Sequence, residues 1–273
     1  MPVKRLTAAK TRLRGAVPAT AHQRLVLALA CDTAAAAVAC PVVGRVVVVT
    51  SDPTARAALA DVGADVVPDV PDAGLNQAIA YGATVARPRT PTAAMPGLAA
   101  LAADLPALRP AELTAALRAA ADLPNIRGYV PDAAGTGTVL LAAPPGLCLE
   151  PCFGAGSAAA HAASGAVALE GVWPGLRRDV DTPGDLESAV ALGIGAHTSV
   201  ALSGYGVLVQ GTVASFDEAE HSGLILLDDG SPVEFPAAAF EASGLRLLRV
   251  GQRVRLDRDD AGTIVKINLP TMS

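Results

Sequence analysis

The sequence predicts an α/β fold followed by a small all-β unit, and three observations carry that prediction. Short β-branched or apolar runs alternate with Ala- and Leu-rich segments of helical spacing as far as Gly193, the pattern of a sheet covered by helices on both faces. After Gly193 short strands follow one another with Gly and Asp turns, the signature of a small β-barrel. With 273 residues, the chain is long enough to bury a substantial core.

Taken in order, "TAHQRLVLALACDTAAAAVA" (20–39) has helical spacing and content. "RVVVVTSD" (45–52) is a β-branched run ending in small polar residues, as a buried parallel strand does. "PTARAALADVG" (53–63) predicts a helix with Pro53 in its first turn and Gly63 past its end. "ADVVPDV" (64–70) is a second short strand, and "GLNQAIAYGATVA" (74–86) a helix opened by Gly74 and Asn76. The apolar run "GLAALAADLPAL" (97–108) ends in Asp104 and Pro106, and "PAELTAALRAA" (110–120) is another helix. "GIGAHTSVALSGYG" (193–206) is small and polar enough for a linker. The boundary falls between residues 1–202 and 203–273. "GVLVQGTVASFD", "GLILLDDG", "SPVEFP", "QRVRLDRD" and "GTIVKINL" are the strands of the second part.

Composition excludes more than it assigns. A net charge of −5 gives no general argument for nucleic acid. No apolar stretch of membrane-spanning length is free of charges and breakers. "MPVKRLTAAK" lacks the apolar core of a signal peptide, so a cytoplasmic protein is expected. Cys148 and Cys152 form a C-x3-C without a second ligand pair nearby. Together with Cys31 and Cys40 they are expected to be reduced structural thiols rather than a zinc site.

Several clusters can carry chemistry. In "RDVDTPGDL" (178–186), a strand would put Asp179 and Asp181 on one face and Val180 on the other. Thr182-Pro183 would then start a helix. Paired carboxylates at a strand end call for a cation, and Mg²⁺ suits oxygen donors. The competing reading is that these acids serve the helix dipole, as Asp185 and Glu187 do. Asp104 also ends an apolar strand, where ligands collect in open α/β sheets. "PVKRLTAAKTRL" (2–13) clusters Lys4, Arg5, Lys10 and Arg12, as a polyphosphate site or a solvated basic helix would. "PDAAGTGTVLL" (131–141) and "FGAGSAAAHAASGA" (153–166) are glycine loops with hydroxyls, either anion cradles or plain turns. His161, one turn after Ser157, reads as a local hydrogen-bond partner rather than a base.

In this order, "PVKRLTAAKTRL", "GLNQA", "ADLP", "GTGT", "FGAGS" and "RDVDTPGDL" resemble the phosphoenolpyruvate/2-phospho-L-lactate guanylyltransferases of coenzyme F-420 biosynthesis, over residues 2–195. The resemblance implies a single Rossmann-like mixed sheet of the nucleotidyltransferase type. It implies that Asp104, Asp179 and Asp181 are catalytic and bind Mg²⁺. It assigns Thr138, Gly154 and Ser157 to a three-carbon phosphorylated acid, and Lys4, Lys10 and Arg12 to the GTP triphosphate, with Gly74 and Asn76 near the nucleoside. The acceptor phosphate would attack the α-phosphorus and expel pyrophosphate, without a protein base. Phosphoenolpyruvate, 2-phospholactate and 3-phosphoglycerate all satisfy this reading. A homodimer is compatible with it.

Two departures accompany the resemblance. The family's basic loop follows a central strand, whereas here Met1 directly precedes Pro2. The expectation is a native start upstream and a gap or unpaired edge beside "RVVVVT". The tail resembles a cold-shock domain, an OB-like barrel, in framework only. Ser215, His221, Ser222 and Leu224 replace most aromatics and the lysine, leaving Phe216, Phe235 and Phe240. From Gly204 on there are six Lys/Arg and ten Asp/Glu, so tight nucleic-acid binding is not expected. The rival readings are a non-catalytic nucleotide- or nucleic-acid-binding regulator and another nucleotidyltransferase, such as a molybdopterin-type guanylyltransferase.

Overall fold

A computed structural model describes residues 1–7, 9–13, 16–17, 19–70, 72–87, 96–202, 209–227, 230–258 and 263–269. One compact unit comprises residues 1–15 and 19–201, and a second comprises 16–18 and 202–273.

In the first unit, α1 (Ala19–Val38) is Ala- and Leu-rich and largely buried. The β-branched run gives β1 (Val47–Val49), buried along its length. Asp52 caps α2 (Pro53–Asp61), where Pro53 costs no hydrogen bond. β2 (Asp65–Val67) pairs parallel to β1 in register Val48–Val66. α3 (Leu75–Ala86) follows Gly74, which adopts φ 105°. β3 (Leu98–Leu101) leads to Asp104, and α4 (Pro110–Ala121) packs Leu113 and Ala116 inward. β4 (Gly128–Pro131) and β5 (Thr138–Ala143) form a hairpin, followed by α5 (Ser157–Ala163) and the short β6 (Val167–Ala168). The unit finishes with α6 (Pro174–Arg177), α7 (Pro183–Leu192) and α8 (Ala196–Leu202).

The single mixed sheet expected of the resemblance is in two pieces. Among the named strands β1 pairs with β2 alone, and the other piece runs β3-β5-β4-β6, with β6 parallel to β4 and the remaining pairs antiparallel. Among the described residues no strand joins β1 to β3. Only Met1–Val3 lie on the free edge of β1, where Pro2 bridges Val49 in parallel and Val3 N–H donates to Val49 O at 2.9 Å. A cavity of about 830 Å³ separates the pieces, lined by Val47, Val49, Ile79, Leu98, Ala100 and Leu101. The Met1 amine is buried beside it, donates to Val47 O at 2.9 Å, and is pushed down by burial to about 5.

The expected linker is in large part α8. Asp32 of α1 accepts the His197 and Thr198 N–H groups at 2.9 and 2.8 Å, so a distant carboxylate caps a segment that small polar residues alone made look irregular. Residues 203–206 of that linker, and with them the boundary at 203, lie outside the described residues.

In the second unit, β7 (Val209–Asp217), β8 (Ser222–Leu227), β9 (Pro232–Phe235), α9 (Ala237–Glu241), β10 (Arg253–Arg258) and β11 (Ile264–Asn268) follow. Their curled antiparallel sheet has the order β11-β10-β7-β8-β9, and its edge strands share no ladder among the described residues. Phe235 and Phe240 are buried in its core with Val213, Ile225 and Leu256, and Phe216 packs on both rings.

Candidate active site

The basic loop is fixed from below by one carboxylate. Leu6 N–H donates to Asp52 Oδ2 at 3.0 Å, while Asp52 Oδ1 caps α2 through Thr54 and Ala55 N–H, each at 3.0 Å. Burial opposes the Asp52 charge, but these N–H groups and Arg5 hold its carboxyl below the usual range. Lys10 lies in the left-handed region at φ 53°, uncommon outside glycine and often found at functional sites. A 3-10 turn (Thr11–Leu13) then buries Leu13 completely. Lys10 is thereby aimed inward, while Lys4 and Arg12 remain exposed.

Lys10 Nζ donates to Asp104 and, at 2.5 Å, to Asp181 Oδ1. Burial opposes the ammonium charge, but the two carboxylates prevail and raise its pKa. Two backbone bonds place the acids. Leu105 N–H donates to Thr33 Oγ1 on α1 at 2.8 Å, which locks the turn beyond β3. Val180 N–H donates to Asp104 O at 3.1 Å, joining the two acidic segments. Residues 178–181 are not the strand considered from sequence, since this bond is not part of a ladder. Val180 is nevertheless fully buried between half-buried Asp179 and exposed Asp181. Below them Thr182 and Asp185 form a capping box on α7, and Asp185 Oδ2 also accepts the Asp181 N–H at 3.2 Å.

Asp179 is raised to about 7, first by burial and then by the charges of Asp104 and Asp181, with Lys10 acting against them. Three carboxylates thus share one ammonium. The donors are hard oxygens, and Lys10 stands in as the cation between two of them, which suits a small divalent ion in kind. Among the described residues, no three such side chains already converge as a metal cluster.

The other side of the site is held mainly by directional hydrogen bonds. Asp132 accepts Thr136 and Gly137 N–H at 2.9 and 2.8 Å, and a Cβ on Gly137 would meet its Oδ2 at 2.4 Å. This brings Thr138 to the start of β5. Ala158 N–H donates to Thr136 O at 3.1 Å, tying the GTGT loop to the FGAGS loop, where Gly154 takes φ 137°. Ser157 opens α5 and is 2% exposed. Asn76 clamps the Phe153 backbone from both sides: Oδ1 accepts its N–H at 2.8 Å and Nδ2 donates to its carbonyl at 3.1 Å. Gly74 is the residue before α3. His161, fully buried, reaches Thr138 Oγ1 with Nδ1 at 2.9 Å and accepts Cys152 N–H at Nε2, also at 2.9 Å. Burial, then Arg127, lowers its pKa, against the Ser157 carbonyl. All four cysteines are free.

Sequence reasoning passed over Asp52, Asp132 and Thr33. Only the first two carried a signal: an acid before Pro53, and an acid opening a glycine turn.

Strands lead to an acidic cluster with a basic loop folded onto it, an α/β architecture with an ionic site beyond its strand ends. A crystal structure named as a nucleotide-diphospho-sugar transferase, from Desulfovibrio desulfuricans G20, matches with a TM-score of 0.51 over 68% of this chain and 82% of that one. At 16% identity, this is a likeness of fold alone. No family model matches the chain. The phosphoenolpyruvate guanylyltransferase of Salinispora arenicola is 59% identical over 73% of this chain and 90% of its own length. That of Geodermatophilus obscurus is 56% identical over 75% and 93%. The chain belongs to the phosphoenolpyruvate guanylyltransferase family.

Proposed function

We propose that this protein transfers GMP from GTP to the phosphate of phosphoenolpyruvate and releases pyrophosphate, as a step in coenzyme F-420 biosynthesis. The observation that carries the reading is the meeting of Lys10 with Asp104 and Asp181 beside Asp179, in a chain of this family. Asp104, Asp179 and Asp181 would hold Mg²⁺, whose charge would screen the phosphates and stabilise the leaving oxygens. Once the carboxylates have another cation, Lys10 would turn from them to the triphosphate, which Lys4 and Arg12 would also face. Gly74 and Asn76 border the nucleoside in this reading, with Asn76 also shaping the loop at Phe153. Thr138, Gly154 and Ser157 would hold the acceptor, whose phosphate is already ionised and needs no base. Catalysis is then positioning plus electrostatics.

For the second unit we propose a degenerate cold-shock-like barrel that packs against protein rather than strands of nucleic acid. Its phenylalanines lie in or on its own core. The decisive experiment mixes GTP and Mg²⁺ with phosphoenolpyruvate, 2-phospholactate or 3-phosphoglycerate and follows pyrophosphate. Release with phosphoenolpyruvate is expected; none with any acceptor refutes the reading.

A further inference from the structure

His161 is buried, titratable and unused in the chemistry above. Its two hydrogen bonds determine its tautomer. A backbone N–H can only donate, so Nε2, facing Cys152 N–H at 2.9 Å, must carry a lone pair. The ring proton therefore sits on Nδ1, which faces Thr138 Oγ1 at 2.9 Å and can only donate to it. The Thr138 hydroxyl proton consequently cannot point at His161. No other partner for this hydroxyl exists among the described residues. The ring itself is held by the Phe153 ring, edge-on at 5.1 Å, and by Tyr129 at 6.0 Å.

We propose that His161 is a positioning residue for the acceptor: by donating from Nδ1 to Thr138, it leaves the Thr138 hydroxyl proton free to be given to the acceptor's anionic end. This rests on the reading that Thr138 meets the acceptor. Through Nε2 the same ring fixes Cys152, next to the loop that Asn76 clamps at Phe153. One neutral imidazole thus sets both a hydroxyl's direction and a loop's position. Its lowered pKa agrees with a ring kept neutral so that Nε2 stays an acceptor.

The two arms can be separated by substitution. In His161→Asn the amide nitrogen falls near the place of Nδ1, preserving donation to Thr138. In His161→Gln the amide oxygen reaches the place of Nε2, preserving the Cys152 arm alone. Steady-state assays on the full chain should show Thr138→Val raising the KM for phosphoenolpyruvate about tenfold, the loss of one hydrogen bond to a charged group. His161→Gln should do the same with the KM for GTP unchanged, and His161→Asn should stay within about threefold of the parent. The Gln and Val changes combined should be no worse than Val alone. Equal damage from Asn and Gln, or full additivity with Val, overturns the proposal. If Thr138→Val leaves the phosphoenolpyruvate KM untouched, the acceptor assignment itself has failed. Nitrogen NMR of the parent's imidazoles needs no variant: a protonated Nδ1 on His161 is expected, and a protonated Nε2 refutes the proposal.

Discussion

Lys10, Asp104 and Asp181 meet across chain separations of 94 and 171 residues through ionic contacts. Thr138, His161, Cys152, Asn76 and Phe153 meet through directional bonds between uncharged groups. The first arrangement is easily exchanged. Any cation can answer a carboxylate, and the Asp181 side chain is 52% exposed, so its arm of the ion pair is screened by solvent. The second is built to stay, because each donor has one acceptor and the ring between them is fully buried. One half of the site is thus suited to trading partners as charged ligands come and go. The other half keeps a fixed shape. Asp179 marks the cost of the first strategy, a half-buried carboxyl left without its own counter-charge.

The comparison breaks most visibly at Asp181. Asp181→Asn keeps the shape and removes a charge that the exchangeable half requires. Turnover with GTP and phosphoenolpyruvate should fall by a hundredfold or more, on the order of 3 kcal/mol of transition-state stabilisation, with an unchanged circular dichroism spectrum. Near-normal turnover would remove Asp181 from the chemistry.

Ser157→Ala tests the fixed half. It should raise the KM for phosphoenolpyruvate roughly tenfold and leave that for GTP alone. Equal effects on both would place Ser157 between the substrates instead.

Asp179→Asn sharpens the contrast through stability. The folded-state pKa of about 7 lies above the unfolded value near 3.9. Between those values the unfolded chain releases a proton that the folded one retains, so this group's contribution is full below about pH 4 and is lost as pH rises to 7. Without metal, the variant should therefore melt higher than the parent by about 2–4 °C above pH 7, with the difference vanishing towards pH 4. Calorimetry in a chelator checks this; a variant less stable at pH 8 would show that Asp179 is well paired.

Asp185→Asn should have the smallest effect. It weakens the capping box and one bond to the Asp181 backbone, about 0.5–1 kcal/mol in urea unfolding. Turnover should stay within about threefold.

Much of this was legible locally. Helix α7 could be placed from Thr182-Pro183 and α2 from Pro53 and Gly63. Pairings between distant segments were not. That Lys10 answers Asp104 and Asp181, or that Asn76 grips Phe153, depends on where the chain returns. No periodicity encodes it. α8 was missed for the same reason, since its capping acid, Asp32, sits 165 residues earlier from His197. The split of the sheet likewise concerns which edges find partners, whereas alternation of apolar residues reports only that strands exist. His161 was read as a local hydrogen-bond partner, but its bonds reach Thr138 and Cys152, 23 and 9 residues away, and neither had a sequence signal.

The cavity of about 830 Å³ between the two sheet pieces leaves Val47, Val49, Ile79, Leu98, Ala100 and Leu101 facing open space. Side chains at the edge of a void lose the dispersion contacts a neighbour would give, so the seam of this sheet contributes less cohesion than either of its halves.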